Sequence, residues 1–241
     1  MSILERIPPE LRKTARLRLR RLRHPARLRA LRRTTPVSED FGFDRGTPVD
    51  RYYIERFLER HSRDIRGSVL EVMDSRYTDR FGVGVTGRDV LDVDSQNPRA
   101  TIVADLAAAD AIPPDSFDCV ILTQTLQYIF DVRAAIAHTW RILKPGGSLL
   151  CTVPTANRFS ARTLRGEYWR FTAAGCDALF RELDAVELLS VEAPGNVLAG
   201  IAFMTGMAAE ELPSRALAKS DERFPVVVLV RALKAPRLPI A

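Results

Sequence analysis

Short apolar runs of strand length alternate with helix-periodic segments from residue 68 to residue 233, and this alternation constrains the fold more than any other property of the chain. The strand candidates are 68–72 (SVLEV), 83–91, 100–104 (ATIVA), 117–123 (FDCVILT), 148–153 (SLLCTV), 186–191 and 226–233. Gly84 and Gly87 weaken the second; the fourth is the strongest. Between them, Val132, Ala135, Ile136, Thr139, Trp140 and Leu143 share one helical face, and residues 171–183 predict a further helix. The small-residue-rich stretch 196–212 predicts a long helix capped by Asn196. Ahead of the first strand a helix is expected from Thr47, with Pro48 at its first position and Asp50 as the capping-box acid. Ile54, Phe57, Leu58 and His61 form its inner face, and Gly67 ends it. The pattern predicts an α/β fold with a parallel sheet and helices on both faces, and such sheets bind ligands beyond the C-terminal ends of their strands.

The formal net charge of +6 divides into two unlike parts. Residues 1–33 hold twelve Arg and Lys against Glu5 and Glu10, whereas the rest of the chain has four more acidic than basic groups. The high pI therefore belongs to a tail and is no argument that the body binds nucleic acid. Within that tail Ala15, Leu19, Leu22, Ala26 and Ala30 fall at helical spacing, with arginines on the other faces and Pro25 breaking the run. Its expected partner is an anionic membrane surface or another protein; nucleic acid is disfavoured because no aromatic side chains interleave the arginines to stack on bases. The expected organisation is a basic tail at 1–33, a linker and helix at 34–67, and the main domain at 68–241. No stretch approaches the roughly 20 apolar residues that span a bilayer, and the N-terminus lacks the apolar segment of a secretory signal. Cys119, Cys151 and Cys176 are odd in number and widely spaced, as in a reduced chain, so the expected location is cytoplasmic, at most peripheral to a membrane.

Five local features in a fixed order narrow the α/β class. They are VLEVMD at 69–74, DVLDVD at 89–94, ATIVADL at 100–106, DSFDCVILTQTLQYI at 115–129 and RILKPGGSLLCTVP at 141–154. On these residues the chain resembles the class I S-adenosylmethionine-dependent methyltransferases, and IPPDSFDCVILTQTLQYIFDVRAAIAHTWRILKPGG is close to the type-11 small-molecule enzymes. FGFDRGTPVDRYYIERFL at 41–58 and EYWRFT at 167–172 further resemble a bacterial subgroup found with polysaccharide-assembly glycosyltransferases. The resemblance, covering about residues 41–233, implies a Rossmann-like three-layer sandwich. Its seven-stranded, mostly parallel sheet has the order 3-2-1-4-5-7-6 and an antiparallel last strand.

The resemblance also implies a cofactor, S-adenosylmethionine, and places its residues. Glu71 ends the first strand and Asp74 lies in the loop that cradles the cofactor. Met73 stands where the family carries its first glycine, followed by Ser75 and Arg76. Among Asp89, Asp92 and Asp94, Asp92 is favoured for the ribose hydroxyls because it follows apolar Val90-Leu91, and a carboxylate accepts two hydrogen bonds at once. Asp105 meets the adenine amino group with Leu106 against the ring. Thr123, Gln124, Gln127 and Tyr128 end the fourth strand, facing cofactor and substrate. Tyr128, Tyr168, Trp169 and Arg170 are the candidates for the acceptor pocket, where Tyr, Trp and Arg suit a sugar or other polar ring.

Methyl transfer requires the acceptor to be placed in line with the methyl group, and a hydroxyl acceptor requires a base. The residues nominate none: His24 is in the tail, His61 on the first helix and His138 mid-helix. The absence of Asn-Pro-Pro-Tyr and Asp-Pro-Pro-Tyr argues against amino methylation of bases. The expected function is methyl transfer to a small molecule, a saccharide hydroxyl or carboxylate. Two other readings are a non-catalytic methyltransferase-like scaffold in a membrane-associated polysaccharide assembly, suggested by Met73, and a metal-dependent glycosyltransferase, suggested by Asp92-Val93-Asp94.

Overall fold

The computed structural model describes residues 34–155, 158–159 and 166–237, with Leu17 and Leu19 of the tail; the helical expectation for the rest of the tail, His24 included, lies outside the described residues. The chain forms two compact units. One contains residues 54–155, 161–193 and 227–241; the other contains 1–53, 156–160 and 194–226.

The larger unit is built on a seven-stranded sheet: β1 (Gly67–Val72), β2 (Val85–Asp92), β3 (Ile102–Val103), β4 (Phe117–Thr123), β5 (Leu143–Pro154), β6 (Val186–Glu192) and β7 (Val227–Lys234). The order is β3-β2-β1-β4-β5-β7-β6, and β7 runs antiparallel to both neighbours, as the resemblance implied. Successive residues in the central strands, Val69 with Leu70, Val120 with Ile121 and Leu149 with Leu150, are all buried. Both faces are therefore covered, which explains why these strands read as unbroken apolar runs. Trp140, Phe117, Phe171 and Phe180 fill the core on one face, each such side chain worth about 1.5–3 kcal/mol of burial.

Of the helices, α1 spans Val49–Arg60, α2 Arg76–Phe81, α3 Val132–Ile142, α4 Ala173–Arg181, α5 Val197–Thr205 and α6 Ser214–Leu217. Asp131 caps α3 through the Ala134 amide and Thr172 caps α4 through the Gly175 amide. Four sequence expectations are corrected. The first helix starts at Val49, because Pro48 pairs with Ala208 as an isolated bridge and the Thr47 hydroxyl bonds Glu210 in place of capping. It stops at Arg60, and a separate 3-10 turn, Ser62–Asp64, precedes β1. The strand expected at 148–153 begins at Leu143, with Lys144–Gly147 as a bulge inside β5: Phe117 pairs Leu143 and Cys119 pairs Ser148, and Gly146 at φ +77 takes up the excess chain. The long helix expected over 196–212 ends at Thr205.

That last correction has its cause within the smaller unit. Gly206 adopts φ +76, and a Cβ there would lie 2.6 Å from the Ser38 carbonyl oxygen. Only glycine permits both the left-handed backbone and the close approach, so α5 closes with its C-cap at Gly206. In the same unit Arg45, 1 % exposed, donates from Nε to Glu211 at 2.9 Å, which gives the FGFDRG run a structural purpose.

Candidate functional site

The order β3-β2-β1-β4 brings the C-terminal ends of these four strands side by side, so the loops after them are neighbours. The expected cofactor residues Glu71, Met73, Asp74, Asp92, Asp105, Leu106, Thr123 and Gln124 all lie in these loops or at these strand ends.

The loop after β1 is held from beneath. Glu71 points inward, 2 % exposed, and its carboxylate accepts from the Tyr77 amide (3.0 Å), the Thr78 amide (2.8 Å) and the Thr78 hydroxyl (2.8 Å). It thus satisfies donors in the first turn of α2, and its work is on the loop's shape. Burial pushes its carboxyl up to about 6, against the lowering by the Thr78 and Tyr77 hydrogen bonds. Met73 adopts φ +74, the backbone a glycine would take, with a side chain 61 % exposed. Asp74 accepts from the Arg76 amide at 3.0 Å and pairs with the Arg76 guanidinium at 3.0 Å.

The loop after β2 is tied to this one by Asn97, which the sequence reading did not single out. Its Nδ2 donates to the Met73 carbonyl (2.8 Å) and to Asp92 Oδ2 (2.6 Å). Asp92 Oδ1 accepts the Asp94 amide at 3.0 Å, so Asp92-Val93-Asp94 forms a local turn. Both Asp92 oxygens hold a partner, and ribose hydroxyls must share their remaining lone pairs. Asp89 lies lower on β2, bonded by the Thr101 hydroxyl at 2.8 Å. Asp105 uses Oδ1 to cap the 3-10 turn Leu106–Ala108 through the Ala107 amide, and Leu106 is buried. β2 and β3 are close in the chain, and no helix intervenes between them. Among the described residues no group of three or more His, Cys, Asp or Glu is arranged to hold a metal ion.

The end of β4 is different in kind. Gln124 sits at φ +50 with its amide donating to the Thr152 carbonyl at 2.8 Å. Gln127 Nε2 donates to the Gln124 carbonyl at 3.0 Å. Gln124 Nε2 and Gln127 Oε1 are nevertheless buried without a hydrogen-bond partner among the described residues, as is Thr152 Oγ1. An unmet buried polar atom costs about 1–3 kcal/mol, which a ligand offering the complementary group recovers.

Above this lies an aromatic cluster. The amides of Tyr168 and Trp169 both reach the Gln127 carbonyl, at 2.7 and 3.4 Å, which brings 167–170 against the loop after β4. Trp169 stacks on Phe130 (6.0 Å, 28°), Tyr168 meets Phe130 edge-on (5.4 Å), and Trp169 Nε1 donates to the Ile129 carbonyl at 3.0 Å. Tyr128, Tyr168 and Trp169 are exposed, and Phe130 is 70 % exposed. Neither Phe130 nor Glu167 is among the residues singled out from the sequence. Glu167 accepts from the Tyr128 hydroxyl at 3.4 Å and pairs with Arg170 at 2.7 Å. Their signal was proximity to Tyr128 and Tyr168, which needs the fold to be seen.

Other reactive groups lie elsewhere. His61 packs edge-on against Phe57, and burial followed by the Arg231 and Arg60 charges lowers its pKa. His138 lies on α3 beside Arg141. The three cysteines are buried, and desolvation pushes Cys119 and Cys176 up to about 12, so none is a thiolate nucleophile. A cleft lined by Arg66, Val83, Asp118 and Pro145 opens at the other end of the sheet, where Lys144 (2.7 Å) occupies Asp118.

These residues fit S-adenosylmethionine by the chemistry each presents. The glycine-like Met73 backbone, the apolar Leu106, the carboxylates of Asp92 and Asp105, and the unpaired Nε2 of Gln124 form a donor and acceptor set that suits an amino acid joined to a nucleoside. Comparison with known proteins agrees. No curated protein matches the chain. A family model described as a methyltransferase domain matches residues 40–189. Among solved structures, a SAM-dependent methyltransferase from Archaeoglobus fulgidus aligns over 76% of this chain and 94% of its own at 9% identity and TM-score 0.52. One from Mesorhizobium loti aligns over 77% and 98% at 17% identity and TM-score 0.50. The [4+2]-cyclase SpnF aligns over 80% and 84% at 16% identity and TM-score 0.54. At such identities these structures speak to the fold alone, and the family match, spanning more than half of the chain, decides the rest: the chain belongs to the methyltransferase-domain family, as a Rossmann-like S-adenosylmethionine-dependent methyltransferase.

Proposed function

We propose that the acceptor is a saccharide, methylated on an oxygen, a hydroxyl or carboxylate, that is presented over the aromatic cluster at the end of β4. The observation that carries this reading is the juxtaposition of exposed Phe130, Tyr168 and Trp169 with the unpaired amide atoms of Gln124 and Gln127. Aromatic faces stack on the apolar faces of a sugar ring, and amide groups orient its hydroxyls. The resemblance of 41–58 and 167–172 to a subgroup associated with polysaccharide assembly supports the same class of acceptor.

When bound, S-adenosylmethionine supplies an electrophilic methyl group on a positively charged sulfur. Met73, Asp92, Asp105, Leu106, Thr123 and Gln124 would hold it, with Glu71 and Asn97 fixing the loops they stand on and Asp74 closing the first. Tyr128, Tyr168, Trp169 and Arg170 position the acceptor oxygen, which supplies most of the rate in an in-line displacement. Transfer forms a carbon–oxygen bond to the acceptor and breaks the methyl–sulfur bond. A hydroxyl acceptor also loses its proton, and Tyr128 backed by Glu167 is the route this cluster offers. The test is to incubate the full chain with methyl-labelled S-adenosylmethionine and a panel of sugars, uronic acids and amines. Label is expected on a sugar oxygen, with Trp169→Ala raising the acceptor KM by about tenfold and leaving cofactor affinity unchanged. Label confined to amines, or a Trp169→Ala enzyme with unchanged KM, would sink the saccharide reading.

A further inference from the structure

The smaller unit carries an apolar surface made of none of the residues assigned above to cofactor or acceptor. Helix α5, VLAGIAFMT, contains no charged residue. One side, Ala199, Ala202 and Phe203, is buried, as an amphipathic helix requires. The opposite side consists of Val197, Leu198, Ile201 and Met204, each between 39% and 53% exposed. Val197, Ile201 and Met204 stand at i, i+4 and i+7, so they form one stripe with Leu198 on its flank. Thr205 adds no polarity, because its hydroxyl donates back to the Ile201 carbonyl at 3.0 Å. Where a soluble surface helix carries charge, this one carries hydrocarbon.

Both ends of the stripe are marked by charge. At the N-terminal end, Asn196 Nδ2 donates to the Ala216 carbonyl (2.7 Å) and the Lys219 carbonyl (2.8 Å). The Asp221 amide reaches the Gly195 carbonyl at 2.7 Å. These bonds place exposed Arg215, Lys219, Arg223 and Phe224 beside the helix start, opposed by Asp221, which pairs with Arg223, and by Glu222. At the C-terminal end, the Val37 amide donates to the Thr205 carbonyl at 2.7 Å, so the chain that follows residues 1–33 is fastened there. Those residues hold twelve Arg and Lys against two Glu, which outweighs Glu39, Asp40 and Asp44 in the joining loop.

We propose that α5 is a membrane-docking helix: its Val197, Leu198, Ile201 and Met204 face enters the headgroup boundary of an anionic bilayer, and the basic segment joined at its C-terminal end supplies the attraction. Shallow insertion of an apolar helix face together with a polybasic segment is the two-signal arrangement that stable peripheral binding requires. Four side chains are too few for a self-association interface, which buries about 800 Å² per partner. Two copies of the tail would moreover repel each other, whereas anionic headgroups attract it.

The experiment uses the full chain and sucrose-loaded vesicles, one set of phosphatidylcholine alone and one with about 30 mol % phosphatidylglycerol. Wild type is expected to sediment with the anionic set only. The double variant Leu198→Asp, Ile201→Asp should bind at least about tenfold more weakly while retaining its circular dichroism and cofactor affinity. Because the native cysteines are buried, a bimane probe on Ile201→Cys reports this face alone and should shift to the blue with anionic vesicles. Failure of wild type to bind anionic vesicles overturns the proposal. So does equal binding by the double variant, which would leave the tail as the sole contact. A blue shift that grows with protein concentration in the absence of lipid also overturns it, in favour of a second copy as the occupant.

Discussion

The loops after β1 and β2 and the loop after β4 meet at the same end of one sheet but are finished in opposite ways. In the first pair each carboxylate that the sequence nominates has a protein partner: Glu71 holds the start of α2, Asp74 holds Arg76, and Asp92 is held by Asn97 and the Asp94 amide. After β4, buried amide atoms of Gln124 and Gln127 have no partner among the described residues, and aromatic rings stand open to solvent. The difference separates shape from affinity. Self-satisfied loops keep their form before any ligand arrives, which lowers the cost of ordering on binding. Unsatisfied groups gain most from a ligand, so the strongest orientation-dependent contacts should be made at β4.

The comparison breaks most severely at Glu71. Glu71→Ala leaves two amides and a hydroxyl without their buried acceptor, and should cost about 3 kcal/mol in urea unfolding, with cofactor affinity falling as the loop loosens. A smaller effect should appear with pH. The Glu71 carboxyl is raised from 4.5 to about 6 in the folded state. The native protein therefore binds the proton more tightly than the unfolded chain, and stability falls as pH rises through that window. By linkage the fall is about 2 kcal/mol, and it should be missing from the pH profile of Glu71→Gln.

On the β4 side the pattern should reverse, with function more sensitive than stability. Gln127→Leu removes an unpaired buried acceptor but also the bond from its Nε2 to the Gln124 carbonyl, two opposing terms, so the unfolding free energy should change by less than about 1 kcal/mol. Its kcat/KM should drop about tenfold, close to 1.4 kcal/mol of transition-state stabilisation. A variant that unfolds readily but turns over normally would show that the two loop sets do not divide the labour in this way. The smallest effect is expected at Met73. Glycine there relieves the positive φ but adds freedom to the unfolded chain, two terms of about 1 kcal/mol that oppose each other. Cofactor affinity by calorimetry should stay within about threefold of wild type, because the methionine side chain points into solvent. A tenfold tightening in Met73→Gly would mean that the side chain obstructs the pocket.

Much of the larger unit was legible before folding. Phe117–Thr123 is a strand with the bounds its apolar run predicts, and in the smaller unit Asn196 caps α5 as expected. Such elements are specified by neighbours in the chain, within reach of periodicity and capping chemistry. Two of the misplaced ends depend on remote contacts. Helix α5 stops because Gly206 meets Ser38, and Thr47 gives up its capping role to bond Glu210. The strand order, too, came from family resemblance, since alternation alone is compatible with many windings.

The candidate site divides along the same line. Which residue types stand at the strand ends is a property of the sequence: Asp92 and Asp105 follow apolar runs, and Gln124 follows the strongest one. What each of them does was decided by tertiary structure. Glu71 turned inward because α2 offered it buried donors, Asp92 acquired Asn97 from a loop that folds back upon it, and Phe130 joined Trp169, 39 positions further along the chain. Local sequence determines where backbone ends and side chains are offered; only the packed sheet determines which are consumed by the protein and which remain for a ligand, because hydrogen-bond satisfaction depends on groups far apart in the chain.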